Sequence, residues 1–358
     1  MQIQSNHFLD LAPAPGNPRN SEGALLTLRD GTILLVYSRY NSTGCEDEAP
    51  ADLAALRSSD DGRTWSAPSL LLTAAEHGVD NIMSVSLLRL GNGDVGLFYI
   101  VKRGWEDARL VLRRSADEGA HWSAPVCCVP WQGYHVTNND RVLRLSSGRL
   151  LVPAAYHPLC GEAGVEAYSI QNVGEAHFCC SDDDGHTWRA LPQRLSLHCA
   201  HSNSGLQEPG AVELSPGVLW GYARTDLGRQ YEFFSCDDGE SWSAPSPSAF
   251  TSPCSPLSVK RGPDGRLYAV WNPVPDHPLR PAAPAGCGRT PLVLSVSGDN
   301  GKHWEAPLVL EQDPLSGYCY TALHFTPEGA LLLAYCAGGP ADLTNLARLR
   351  IRRLELSR

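Results

Sequence analysis

Ser58-Ser59-Asp60-Asp61-Gly62-Arg63-Thr64-Trp65 decides how this chain folds, because its pattern returns four more times. The recurring form is Ser-x-Asp-x-Gly-x-(Thr/Ser/His)-Trp. It returns as Ser115-Ala116-Asp117-Glu118-Gly119-Ala120-His121-Trp122, then from Ser181 to Trp188, Ser235 to Trp242 and Ser297 to Trp304. The repeat length is roughly 60 residues, long enough for one four-stranded unit. The motif describes a β-turn. An aspartate side chain bonds backbone amides further along, and glycine takes φ > 0. The tryptophan then plugs an apolar gap beside the hairpin. These five aspartates are therefore turn formers and are not counted as catalytic carboxylates.

A second repeat interleaves with the first. Two alternating apolar strands flank a turn glycine at Gly31, Gly93, Gly148, Gly217, Gly265 and Gly329. The first example is ALLTLRDGTILLVYSRY and the last is TALHFTPEGALLLAYCA. Five of these six units run on into the aspartate turn. The pattern predicts an all-β chain, a six-bladed β-propeller with five Asp turns, formed by residues 1–358 as a single domain. The segment Phe8–Leu11 is expected to supply a strand to the last blade. Two packed β domains are the alternative, but no linker-like stretch marks a boundary.

Composition agrees with this reading. The chain has 358 residues, with 33 Gly and 27 Pro, a turn density that favours many short strands. Its formal net charge is −10, which argues against a general nucleic-acid binder. It contains no apolar run of membrane-spanning length. The start, Met1-Gln2-Ile3-Gln4, shows no basic region or apolar stretch of a secretory leader, so a cytoplasmic location is expected. The 12 cysteines are irregularly spaced, as for reduced, mostly buried thiols. His135, His157, His198 and His201 lack dense ligand spacing, so no metal is expected. No glycine-rich loop joins a strand to a helix, so no nucleotide cofactor is expected.

In a propeller, equivalent positions converge on one axial mouth. Nine residues before each turn glycine lie Glu22, Ser84, Asn139, Glu208, Pro256 and Tyr320. Asn138, Asp140 and Arg141 flank the third of these. After the glycine, Arg224 and Asn272 stand seven residues on, Arg39 eight, and Lys102 and His157 nine. A ring of carboxylate, phenol, guanidinium and amide groups on one face is a candidate polar ligand site.

These residues carry a resemblance. The five turns resemble the Asp-boxes of the sialidase (neuraminidase) superfamily, whose fold is a six-bladed propeller. The resemblance covers nearly the whole chain. It implies a glycoside hydrolase acting on a carbohydrate with a terminal acidic sugar, whose carboxylate is bound by three arginines. Gln207-Glu208-Pro209 followed by Tyr222-Ala223-Arg224 resembles the family's Glu-then-Arg arrangement. On this basis Glu208 activates a tyrosine nucleophile and Arg224 is one of the three arginines. Arg289, before PLVLSVSGDNGKHW, is similar to the next. Tyr320-Thr321-Ala322-Leu323 resembles the segment that supplies the nucleophile. Arg39 resembles the arginine near the acid/base loop, and Asp47 in NSTGCEDEAPADL matches the acid/base aspartate. One departure stands out. Ser21-Glu22-Gly23 occupies the place of the family's Arg-Ile-Pro signature, Arg19 lies two residues upstream, and Arg141 is a candidate for the missing charge.

The resemblance implies retaining hydrolysis by Tyr320, with no cofactor. Two other readings stay open. One is a glycosidase or lyase acting on a different sugar through Glu22, Asp140 and Glu208. The other is a non-catalytic glycan-binding propeller.

Overall fold

The computed structural model describes residues 2–161, 169–197, 201–274 and 288–357. Among these residues the fold is all-β, apart from one short 3-10 turn at Ala74–His77. The strands form successive antiparallel groups, each winding outward. The first comprises Asn20–Thr27, Ile33–Tyr40, Ala51–Ser58 and Ser69–Leu72. The second comprises Asn81–Arg89, Val95–Lys102, Ala108–Ser115 and Val126–Cys127. In the third, Leu143–Arg144 and Tyr134–Val136 both pair with Leu150–His157, which continues into Glu175–Ser181 and Arg189–Leu195. The fourth runs from Gln207–Ser215 through Val218–Arg224 and Arg229–Ser235 to Ser246–Thr251. The fifth runs from Ser258–Arg261 through Leu267–Trp271 and Leu292–Ser297 to Leu308–Glu311.

The last group shows how the chain's ends meet. Gly317–Phe325 pairs with Leu331–Gly338, which pairs with Leu349–Ser357. Its outermost strand is Gln2–Leu11, with Phe8 opposite Arg352 and Leu11 opposite Leu349. The expected N-terminal contribution is therefore present.

The aspartate turns are built as their composition demands. Ser58 Oγ donates to Asp60 Oδ1 at 2.8 Å and accepts from Gly62 N at 2.9 Å. Thr64 N donates to Asp60 Oδ1 at 2.8 Å. The residue before each glycine is also left-handed: Asp61, Glu118, Asp184, Asp238 and Asn300 have φ near 60°. In the first three turns that residue's side chain reaches the inner hairpin of the preceding group. Glu118 accepts from Arg29 N at 2.9 Å, and Asp184 from Gly91 N at 2.7 Å. Asp61 accepts from Thr326 Oγ1 at 2.8 Å and Arg353 Nη2 at 2.9 Å, clasping the first group onto the last. Apolar side chains fill the same seam, where Leu25, Ile33 and Leu35 pack with Ala322, Leu332, Ala334 and Ile351.

The inner strands carry the feature that positions the site. In four of them the register with the neighbouring strand slips by one residue: between Ser21 and Ala24, Met83 and Ser86, Gln207 and Gly210, and Cys319 and Ala322. Each slip is a β-bulge, and at each the residue facing the axis has positive φ: Glu22 56°, Ser84 58°, Glu208 47° and Tyr320 58°. Non-glycine residues in this conformation cost about 1–3 kcal/mol each, and bulges re-aim side chains beside functional sites. The third group differs. Its left-handed residue is Asp140, with φ 55°, one position after the expected Asn139.

Candidate active site

Glu22, Asp47, Lys102, Tyr134, Asn138, Glu208 and Tyr320 line one small cavity, together with the apolar Met83 and Ile100. Three of the four bulged inner strands thus deliver an ionisable group to it. The central contact is the Tyr320 hydroxyl donating to Glu208 Oε1 at 3.0 Å. Arg224 Nη2 donates to the same oxygen at 3.1 Å. Glu208 Oε2 and Arg224 Nε approach to 3.1 Å but are misaligned, so neither makes a proper hydrogen bond. Arg289 lies 5.5 Å from the Tyr320 ring centre. Arg224 and Arg289 both donate to the Cys254 carbonyl, at 3.2 and 3.1 Å, which sets the two guanidinium groups side by side.

Opposite them stands Arg19, only 1% exposed. It donates to Asp47 Oδ1 at 2.6 Å, to Glu22 Oε1 at 3.3 Å and to the Cys45 carbonyl at 3.0 Å. The strand entering the Glu22 bulge places this guanidinium at the mouth. A guanidinium thus stands three residues before Glu22, against the Glu22 and Asp47 carboxylates. Its signal in the sequence was only the pair Pro18-Arg19 upstream of the first strand.

The electrostatics follow from burial and these pairs. Burial, the largest cause, pushes the Glu22 carboxyl up to about 7; Arg19 and Lys102 oppose it, and Asp47 and Glu208 add to it. Asp47 keeps half of its side-chain surface open, at 52%. Its crowded position would raise its pKa, but Arg19 and Lys102 outweigh that and hold it at about 2. Burial and then the Glu208 charge hold the Tyr320 phenol well above its ordinary range, so it is neutral at physiological pH.

The structure relocates four expected site residues. Arg39 faces a different cavity, with Asp10, Tyr37 and Leu70. The reason is the period of two along a strand. Positions seven and nine after the turn glycine, held by Arg224 and Lys102, face the axis, and position eight faces away. Asp140 binds Lys260 Nζ at 2.8 and 2.9 Å and accepts from Leu323 N at 3.0 Å, a strut away from the cavity. Arg141 donates to Tyr222 and to the Leu257 carbonyl, at 3.2 and 2.6 Å, and lines another cavity with Lys260 and Arg261. It does not supply the missing charge. Asn139 donates to the backbone oxygens of Gly23 and Tyr320 at 2.7 and 3.1 Å, a buried tie across the axis. Its neighbour Asn138 is the one that lines the cavity, with its Nδ2 unpartnered.

Lys102 and Asn138, from the polar ring read in the sequence, and Tyr134, which that reading missed, complete the cavity lining. Lys102 Nζ donates to the Asp47 backbone oxygen at 2.7 Å. His135 also lines the cavity and shares a hydrogen bond of 2.8 Å with His177. His198 lies outside the described residues. Among the described residues no cluster of His, Cys, Asp and Glu has the arrangement of a metal site.

The axial cavity holds about 40 Å³, far below the ~300–1,000 Å³ of ligand pockets. The ionic groups have closed on one another. Through Lys102 and Tyr134 it adjoins a groove of about 540 Å³ lined also by Glu48, Asn81, Arg103 and Trp105.

Comparison with known proteins bears on the family and the fold. Residues 46–333 match the family model of the BNR repeat-like domain. The chain belongs to that family. The resemblance read from the five turns is therefore shown at the level of repeat and superfamily. A sialidase of Bacteroides fragilis is 23% identical over 350 residues, covering 87% of this chain and 58% of the relative. The chain thus spans little more than half of that protein's length. Among solved structures, the Hadza microbial sialidase Hz136 matches with TM-score 0.72 and 17% identity, over 96% of this chain and 66% of its own. A Dyadobacter fermentans protein of unknown function matches with TM-score 0.73 and 16% identity, over 99% of this chain and 100% of its own.

Proposed function

We propose that this chain is a retaining exo-glycosidase of the sialidase type, built as one six-bladed propeller and acting on a terminal sugar that bears a carboxylate. The observation that carries this reading is the Tyr320–Glu208 hydrogen bond of 3.0 Å beside Arg224 and Arg289, with Arg19 opposite. Glu208 takes the phenolic proton as Tyr320 attacks the anomeric carbon. A neutral phenol avoids the repulsion that an ionised Asp or Glu nucleophile would meet at a carbon carrying a carboxylate. Arg19, Arg224 and Arg289 bind that carboxylate through charge-assisted hydrogen bonds.

Substrate entry requires Arg19 to release Asp47, which opens the cavity. The release also weakens the largest of the charges that depress the Asp47 pKa, while Lys102 remains beside it. Asp47 can then protonate the leaving oxygen and, in the second step, deprotonate water. The leaving group occupies the adjoining groove, where Trp105 and Tyr134 offer aromatic faces to a further sugar.

A second reading is favoured by one observation, the Glu22 carboxyl at about 7 within the same cavity as Glu208. Such a pair suits acid–base work on a different sugar without a tyrosine nucleophile. Asp140 takes no part in it, being bound to Lys260.

The test is a panel of sialosides, other ulosonic-acid glycosides and uronides, read for released sugar and its anomeric configuration. It is repeated with Tyr320→Phe and Glu208→Gln. Turnover of a carboxylated sugar with retention, falling about 10²–10⁴-fold in both variants, supports the proposal. Turnover that survives Tyr320→Phe supports the second reading. Binding without release on every substrate overturns both.

A further inference from the structure

Cys319 stands directly before Tyr320, opposite Cys336 in the strand pairing, and both are buried. Two nitrogen donors reach the Cys319 sulfur. Arg289 Nη1 donates to it at 3.1 Å and Asn345 Nδ2 at 3.8 Å. The sulfur of a neutral thiol is only a weak acceptor, whereas a thiolate accepts strongly from both nitrogens and pairs its charge with the guanidinium. Arg289 has a matching need. Among the described residues no carboxylate forms an ion pair with it, and its other nitrogen donates to the Cys254 carbonyl.

We infer that Cys319 is a thiolate that serves as the counter-ion of Arg289 and fixes its guanidinium beside Tyr320. Cys319 is thus a positioning residue, acting on the substrate through Arg289. That positioning role rests on the function proposed above, whereas the thiolate itself does not. The titrating environment is consistent. Burial raises the Cys319 pKa, but the Cys336 hydrogen bond and the Arg289 charge outweigh it and bring it to about 7, against the Glu208 charge. Cys336 moves the other way and stays protonated, with Arg19 and Glu22 on its far side. Tyr320, the remaining titratable neighbour, is held neutral. As pH falls below about 7, Cys319 gains a proton and Arg289 loses its counter-ion.

The experiment is a pH titration of thiolate ultraviolet absorbance on the whole chain and on Cys319→Ser and Arg289→Met. One absorbance step near neutrality is expected in the parent. It should vanish in Cys319→Ser and move up by about one pH unit or more in Arg289→Met, a tenfold change in acid constant. The second variant carries the test should the first not fold. A step that persists in Cys319→Ser, or stays unmoved in Arg289→Met, overturns the inference. With a turned-over acidic sugar, Cys319→Ser should raise KM about tenfold with less effect on kcat, and Cys319→Asp should restore it. Unchanged KM in Cys319→Ser refutes the positioning role. Absence of turnover in the parent refutes the proposed function and leaves the absorbance result standing.

Discussion

Replacing Glu22 by glutamine is expected to make the protein more stable at alkaline pH than at acid pH, relative to the parent. Glu22 is almost fully buried, at 4% exposure, and its carboxyl rises from 4.5 in the free side chain to about 7 in the fold. That displacement is ~2.5 pH units, and at about 1.4 kcal/mol per unit it amounts to ~3 kcal/mol. The sign follows from proton counts. Below pH 4.5 Glu22 is protonated in both folded and unfolded chains and contributes no difference. Between 4.5 and 7 the folded chain holds the proton more tightly, so stability falls as pH rises. Above 7 the folded protein carries a buried carboxylate, and the full ~3 kcal/mol has been lost. Glutamine keeps the shape and removes the titration. The assay is equilibrium urea unfolding of both proteins at a series of pH values from 4 to 8.5. The variant-minus-parent difference should grow by ~3 kcal/mol toward alkaline pH, whatever its value at pH 4. Other groups, Asp47 included, cancel in that difference to the extent that they are unchanged by the substitution. A difference that is flat with pH would refute the argument that burial and the neighbouring carboxylates dominate over Arg19.

Three further outcomes are expected. Asp61→Ala removes a buried partner of Arg353 and Thr326 at the seam between first and last groups; Arg353 keeps Glu355 and Glu328 nearby, so unfolding stability should fall by about 1–3 kcal/mol in urea titrations. Arg19→Met should raise KM for a carboxylated glycoside about 10–100-fold, and should shrink the preference for that substrate over its neutral analogue. Trp105→Ala should reduce the ratio of kcat/KM on an extended glycan to that on a small aryl glycoside by about fivefold, because the aromatic face of the groove is lost.

Much of the site was legible because inner-strand positions repeat. Counting back nine residues from each turn glycine found Glu22, Glu208 and Tyr320, and all three line the cavity. The same count reached Asn139 in the third group, where the left-handed residue falls one position later, at Asp140, and the cavity-lining side chain is Asn138. Arg39 was misplaced by its resemblance to a family arginine, although strand alternation puts it on the opposite face from Arg224. Arg19 precedes the first inner strand, so no periodic count could reach it. Cys319 looked like any buried thiol until Arg289 was seen against it.

The amino-acid sequence by itself determined the repeating unit. Aspartate turns, turn glycines and alternating strands depend on contacts only a few residues apart, so they are written locally and five or six times over. Tertiary structure alone decided which polar groups share a cavity and which serve as struts. Asn139 ties to Tyr320 across 181 residues and Lys260 neutralises Asp140 across 120. Those pairings join groups far apart in the chain, and the bulges then choose which side chains turn toward the cavity.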